Sequence, residues 1–341
     1  MKIFVHEYVS GGGCCDKKIP HDLLIEGYAM LNAVLDDLHN LPERPYLVTS
    51  LDIRFANLKL TADEVVPVDR GQFDQIFSGL VDKNDAVLLI APEMEGILAE
   101  LSEMVIQKGK LLLGASPQAV RITTDKYQTY QILSQHGLPV PKTVPASYRQ
   151  NKLANFRDLP YPLVLKPRDG VGCSGIFIVH TQDELQQVCR QIGDQPYLVQ
   201  EYIAGTPASV SLISNGRQIT PLSLNAQKIQ SSFRMEYLGG TVPLSHPLQD
   251  LALFTARQAC STISGLKGYL GVDMVLTEKA AIIMEINPRL TTSYLGLKQV
   301  AGRNIAGLIL QACCSDKPLE PFSLIGQVDF SIQELKTLLS R

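Results

Sequence analysis

Apolar positions along the chain fall into two textures. Up to about residue 116, short runs rich in leucine and β-branched residues ("KIFVHEYV", "PYLVTSL", "EVVPV", "DAVLLIA", "KLLLGA") alternate with longer stretches. In those stretches, "HDLLIEGYAMLNAVLDDL" and "EGILAELSEMVIQK", apolar residues recur every three to four positions. That spacing turns one stripe of a helix to a core, while unbroken short runs suit strands covered on both faces. The alternation predicts a parallel, helix-covered α/β sheet, with the glycines Gly11, Gly12 and Gly13 forming a tight loop after its first strand.

Beyond that point the pattern changes. "DKYQTYQILSQHG" predicts a helix ending at Gly137, followed by the extended "LPVPKTVP". "YPLVLKP" and "GIFIVH" read as two strands around a glycine-rich loop, and "TQDELQQVCRQIG" as a helix capped by Thr181 with Glu184 three positions on. "YLVQEYI", "ASVSLISN", "RQITPLSLN", "GYLGVDMVLT" and "AAIIMEIN" then follow as strands in hairpin-like succession. The second half is expected to be α+β with antiparallel sheets.

Composition narrows the functions. With 341 residues, 45% hydrophobic and 19% charged, the chain can bury more than one core, and its net charge of -3 is spread without basic or acidic blocks. Binding to nucleic acid or membrane surfaces through bulk charge is therefore not expected. The seven cysteines include the vicinal pairs Cys14-Cys15 and Cys313-Cys314 but no CxxC, and no histidines stand at zinc-ligand spacing, so they read as reduced thiols of a cytoplasmic protein. No window is long and apolar enough to predict a membrane span.

Two stretches carry chemistry. Gly170-Val171-Gly172-Cys173-Ser174-Gly175 fits the G-x-G-x-x-G pattern, but a dinucleotide turn needs a helix next, to present its N-terminus to the pyrophosphate. Here "IFIV" follows, which is strand. A glycine loop between two strands instead suits a flap over phosphates, as in protein kinases. Lys166 in "LVLKP" supports this, because an ammonium at a buried strand end is costly unless an anion meets it.

The second stretch is "IIMEINPRLTTSY". Glu285 and Asn287 share a face of the strand, Met284 and Ile286 are expected in the core, and Arg289 follows once Pro288 has ended the run. If Thr277 pairs with Ala281 across "EKA", Asp273 of "GVDMVL" lies opposite Glu285. Facing carboxylates repel unless a divalent cation sits between them, and Asp, Glu and Asn oxygens suit magnesium. A one-residue slip would separate them. The fork of Arg289 fits a phosphoryl group or a carboxylate.

In order and spacing, Asp125-Lys126, "LVLKP" before the glycine loop, "LVQEYI", "GVDMVL" and "MEINPRL" resemble the ATP-grasp superfamily of carboxylate–amine ligases. The resemblance implies an ATP-grasp fold with an N-terminal α/β unit (1–116), a small lobe with the glycine loop (117–196) and a C-terminal lobe with the metal and phosphate site (197–341). It implies that Lys126 and Lys166 contact ATP phosphates, that Gly170, Gly172, Ser174 and Gly175 close over them, and that Glu201 and the backbone at Ile203 meet adenine. Asp273, Glu285 and Asn287 would hold one or two magnesium ions, or manganese in their place, and Arg289 and Lys166 would serve the transferred phosphoryl group. Ala208 stands where many members carry a ribose-binding glutamate.

"HEYVSGGG", "IAPEMEGIL", "YLGG" and "EINPRLTTSYLGL" further resemble the tyramine–glutamate ligase group of methanofuran-type cofactor biosynthesis. The activity implied is ATP-dependent amide formation through an acyl phosphate, with small amino-acid and amine substrates as the partners, no nucleic acid or membrane, and a homodimer left open. The alternatives are a non-catalytic ATP-binding protein and a ligase of another amino acid or peptide. For the acceptor, Glu7, Gly11 and Gly12 lie at a sheet end where such folds bind ligands, and Glu93 or Glu95 could hold an ammonium. The polar "QKIQSSFRMEYLGGTVPLSHP" is expected to be a mobile loop in which Lys228 or Arg234 binds a substrate carboxylate.

Overall fold

The computed structural model describes residues 1–19, 21–146, 159–170, 175–231, 235–320 and 322–336. The first part alternates β1 (Lys2–Glu7), α1 (His21–His39), β2 (Tyr46–Asp52), β3 (Glu64–Val68), α2 (Phe73–Lys83), β4 (Ala86–Ile90), α3 (Ile97–Gln107) and β5 (Leu111–Leu112). Its strands are parallel in the order β3-β2-β1-β4-β5, as the apolar pattern predicts. Burial explains the unbroken runs: Phe4 packs on the side of α2 and α3, while Ile3 and Val5 pack on the side of α1.

Helices α4 (Pro117–Thr124) and α5 (Lys126–Gln135) lead into a four-stranded antiparallel sheet of β6 (Thr143–Ala146), β7 (Leu163–Pro167), β8 (Phe177–Val179) and β9 (Tyr197–Glu201), in the order β6-β9-β7-β8. Helix α6 (Gln182–Ile192) covers one face, where Leu163, Leu165, Phe177, Tyr197 and Val199 are buried against Leu185 and Val188. Alternation turns Lys166 and Gln200 to the other face. Thr181 caps α6 through Glu184 N, as expected, although the Glu184 carboxylate returns to His180 N, one residue earlier than a capping box would place it.

The rest is a six-stranded antiparallel sheet, order β14-β13-β10-β11-β12-β15, built from β10 (Thr206–Ser214), β11 (Ile219–Ser231), β12 (Met235–Val242), β13 (Gly268–Leu276), β14 (Ala281–Asn287) and β15 (Val328–Ser331). Helix α7 (Gln249–Ser261) packs its alanines on one face, against Ala208, Val210, Leu224, Val272 and Met274. Helices α8 (Ser293–Val300) and α9 (Ile305–Cys314) lie between α1 and the six-stranded sheet, α8 against β12 and β15 and α9 against β10 and β13, and α10 (Ile332–Leu335) is the last described helix. Tyr294 of α8, fully buried, donates its hydroxyl to Asp37 of α1, and Lys298 pairs with Asp36 and Asp37 at 2.9 and 3.0 Å. The first unit is thereby tied to the segment that follows β14. Among the described residues, no helix is long and apolar enough to cross a membrane.

One expectation is overturned here. Residues 226–231 and 235–242 are strand rather than loop, and 232–234 lie outside the described residues. The strands belong to β11 and β12, a two-stranded arm that pairs Ala226 with Thr241 and Ser231 with Met235. Its strands face the site on one side and solvent on the other, so no apolar alternation marks them.

Candidate active site

The register of β13 and β14 decides where the acidic groups meet. The hairpin is tighter than expected: Leu276 pairs with Ala281, and Thr277 N donates to Ala280 O at 2.9 Å. Continued regularly, that register would set Asp273 opposite Met284. A β-bulge intervenes, with Met274 pairing Ile283 and Asp273 pairing Glu285, so Met284 is the extra residue. The carboxylates face each other because of the bulge rather than because of the turn. The same bulge keeps Met284 out of the core, contrary to expectation: Ile283 and Ile286 are buried, whereas Met284 is only partly covered and directs its carbonyl at Lys166 Nζ, 3.5 Å away.

Around this pair the donors are specific. Asp273 accepts from Asn287 Nδ2 at 3.1 Å and from Gln227 Nε2 at 2.9 Å. Glu285 pairs with Lys126 Nζ at 3.2 Å, and the same ammonium donates to Gly170 O at 2.5 Å. Burial and the charge of Glu285 push Asp273 up to about 8. Burial works against Glu285 too, but Lys126 and Lys166 outweigh it and hold its carboxyl below the usual range. Lys166, 5% exposed, is lowered to about 8 by burial despite the attraction of Glu285.

This donor set fits a hard divalent cation. Burial and the facing charge of Glu285 drive Asp273 toward its protonated form, and the groups that would ligate are two carboxylates and an amide oxygen. No group of three or more His, Cys, Asp or Glu side chains converges among the described residues, so the remaining positions would fall to phosphate and water, as magnesium prefers.

Arg289 is turned toward the first unit. Its Nε lies 2.9 Å from Glu93 Oε1, and its Nη1 donates to Leu290 O at 2.9 Å. The contact with Glu93 is one of charge: neither Arg289 Nε nor either Glu93 oxygen makes a directed hydrogen bond. Burial opposes the charge on Arg289, but Glu93, Glu285 and Glu26 keep its pKa above the ordinary value. Glu95, in a left-handed conformation at φ 55°, donates its N–H to Asp169 at the stem of the glycine loop, 3.0 Å away.

On the small sheet, Gln200 faces Lys126, Met284 and Glu285 across a pocket walled by Tyr130 and Val140. Its amide nitrogen donates to Thr143 at 2.7 Å, while its oxygen is buried without a partner. Glu201, one position on, points to the opposite face and accepts from Lys142 N at 3.3 Å at the sheet edge, and Ile203 lies just beyond the strand, partly covered. Ala208 is fully buried on the α7 face, so its side chain is turned away from the site whatever its identity. Gly170 and Gly175 stand at the two stems of the glycine loop; Gly172 and Ser174 lie outside the described residues. Gly175 has φ 73°, and a Cβ there would come within 2.8 Å of the Tyr197 hydroxyl.

Residues 123–293 match the ATP-grasp domain family, and residues 46–120 match the pre-ATP-grasp domain. The chain belongs to the ATP-grasp family. Tyramine–L-glutamate ligase from Methanocaldococcus jannaschii is 32% identical over 303 residues, 87% of this chain and 84% of that protein. The same-named enzyme from Methanocaldococcus fervens is 33% identical over 302 residues, 87% and 89% of the respective chains. A crystal structure of an ATP-grasp superfamily protein from Archaeoglobus fulgidus superposes with a TM-score of 0.70 at 25% identity, covering 97% of this chain and 99% of that one. The fold and these relatives make this ATP-grasp chain an ATP-dependent carboxylate–amine ligase.

Several acceptor candidates of the ligase have other surroundings than the sequence suggests. Glu7, 2% exposed, spends its carboxylate on the turn that follows β1, accepting from Val9 N at 3.0 Å and from Ser10 N and Oγ at 2.6 Å each. Gly12, at φ 104°, lies where a Cβ would meet Val68 at 2.5 Å, and a Cβ on Gly11 would meet His6 at 2.8 Å; both are needed to close the turn. Lys228 points away from the site, since its neighbour Gln227 holds Asp273, and it pairs with Asp329 of β15 at 3.0 Å. Arg234 lies outside the described residues.

The Lys228 side chain is 49% exposed and Asp329 68%, a pairing of small energetic consequence. Lys228→Ala is expected to leave kcat/KM within about twofold and the melting temperature essentially unchanged. Steady-state kinetics and a melting curve check this. A tenfold rise in KM for either substrate would return Lys228 to the site. Gln227 and Gln200 are the site-facing residues that sequence reading passed over, because amides without charge carry no signal until the strand faces are known.

Proposed function

We propose that this ligase joins the carboxylate of L-glutamate to the amine of tyramine, or of a close aromatic amine such as tyrosine, with release of ADP and phosphate. The observation that carries the reading is the bulge-set opposition of Asp273 and Glu285, flanked by Lys126, Lys166 and Arg289. The substrate choice is supported by the two methanogen relatives, whose names give tyramine and L-glutamate.

In this reading Lys126 and Lys166 bind phosphate oxygens of ATP. Gln200 and the backbone from Glu201 to Ile203 border the nucleobase. Asp273, Glu285 and Asn287 hold magnesium, or manganese in its place. That cation supplies charge neutralisation at the phosphates. Arg289 steadies the γ-phosphoryl group as a carboxylate oxygen of glutamate attacks it, giving an acyl phosphate and ADP. The amine nitrogen then attacks the acyl carbon, the carbon–oxygen bond to phosphate breaks, and the amide is released. No side-chain nucleophile is required, because positioning and charge stabilisation lower the barrier.

The test is a matrix of amino acids against tyramine, tyrosine and simpler amines with ATP and magnesium, followed by mass spectrometry of the condensed product and assay of ADP and phosphate. γ-Phosphoryl transfer predicts ADP and phosphate stoichiometric with amide, and most product from L-glutamate with tyramine. AMP and pyrophosphate, or ADP formation indifferent to the amine, would contradict it.

A further inference from the structure

The two ends of the Gln200 amide are in unlike situations. Its Nε2 donates to Thr143 Oγ1 at 2.7 Å, whereas its Oε1 is buried without a partner, in a residue only 3% exposed. A buried side-chain oxygen left unpaired is uncommon in a folded protein and points to a donor that arrives from outside. Thr143, itself buried, explains why the oxygen is the end left over. Its hydroxyl proton goes to Pro141 O at 2.9 Å, so toward Gln200 the Oγ1 has only lone pairs to offer. An amide turned the other way would set two acceptors against each other.

We infer that Thr143 sets the nucleotide preference of this ligase. By accepting from Gln200 Nε2 it fixes the amide so that Oε1 meets the exocyclic amino group of adenine. This rests on the reading above, in which Gln200 borders the nucleobase. Gln200 shares a gap with Lys126 and Glu285, so a base at the amide lies on the same side of the small sheet as the groups that would hold the phosphates. The gap is narrow, and entry of a base parts the small sheet from β14. Thr143 and Gln200 pair directly across β6 and β9, so their contact is internal to that sheet and travels with it.

The chemistry selects one class of purine. Adenine brings an N–H donor to the amide oxygen. A purine with a carbonyl oxygen in place of that amino group brings an acceptor, which Oε1 cannot pair with. A site built to hydrogen-bond a donor rejects the analogue lacking it. Gln200 alone would not discriminate, because a free amide could turn over and present Nε2 to the carbonyl. Thr143 withholds that option, which makes it a positioning residue for base recognition.

The experiment measures displacement of a fluorescent ATP analogue, with magnesium present, by ATP and by ITP, whose purine carries the carbonyl oxygen. Wild type should prefer ATP by about 30-fold or more. Thr143→Val keeps the side chain's shape and strand preference but removes the oxygen, freeing the amide to turn. Its preference should shrink by about tenfold, mainly through tighter ITP. Thr143→Ser restores the oxygen and should hold the preference within about threefold of wild type. Backbone contacts to the base are common to all three proteins and cancel in this comparison. In a Gln200→Leu background, which has no amide to turn, Thr143→Val should leave the preference unchanged.

A wild type that binds ATP and ITP alike, or a Thr143→Val protein that keeps the wild-type preference, would overturn the inference while leaving the ligase reading standing. Equal weakening of both nucleotides in Thr143→Val would also overturn it, by showing that Thr143 only supports the fold. A wild type that binds neither nucleotide would fail the parent reading, and this one with it.

Discussion

Glu285→Gln is expected to lower kcat by about 1,000-fold, the scale seen when charge stabilisation at a reacting centre is removed. The substitution keeps volume and one hydrogen-bonding oxygen but deletes the charge that Lys126 and Lys166 share and that faces Asp273 across the bulge. Stability should change little. The lost attraction to two ammonium groups is offset by the end of carboxylate repulsion, which removes one of the causes that raise Asp273 and leaves burial, the larger one, in place. Kinetics and thermal melting on the same preparation separate the two effects. Loss of activity with a collapsed melting temperature would mean that Glu285 holds the fold rather than the reaction.

Arg289→Ala should damage both. Removing the guanidinium leaves Glu93, 6% exposed and with no hydrogen bonds, without its positive charge. Breaking a buried pair this way costs about 3 to 5 kcal/mol. Turnover should fall by about 100- to 1,000-fold as well, since in the proposed reaction this fork steadies the transferred phosphoryl group. Adding Glu93→Gln should restore most of the lost stability, by removing the stranded charge, and none of the turnover. A double variant that regains activity would show that Arg289 serves only to neutralise Glu93.

The parts of this molecule legible in sequence are those in which local pattern and tertiary environment agree. The runs of β1, β2 and β4 are buried on both faces, so hydrophobicity alone marked them. The meeting of Asp273 and Glu285 was also expected from the sequence, but on a different ground. The reading placed the adjustment in a three-residue turn, whereas the chain makes it with a bulge at Met284, which no composition rule signals because bulges answer to the whole ladder.

The β11–β12 arm was misread because a strand with polar residues on both faces looks like a loop. Helices α8 and α9 were not assigned because burial between α1 and a sheet erases the two-sided pattern, and α7 because its buried face is marked by alanines while Leu251 and Phe254 stand exposed. Lys228 was singled out on charge alone, and alternation about Gln227 sends it to the far side.

The central claim is that the acids of β13 and β14 hold a divalent cation together with the triphosphate. Calorimetric titration of a non-hydrolysable ATP analogue into the protein, with and without magnesium, tests it most directly. Binding should strengthen at least tenfold when magnesium is present, and that gain should vanish in Asp273→Asn and Glu285→Gln. Nucleotide affinity indifferent to magnesium, or a gain retained in both variants, would contradict the account.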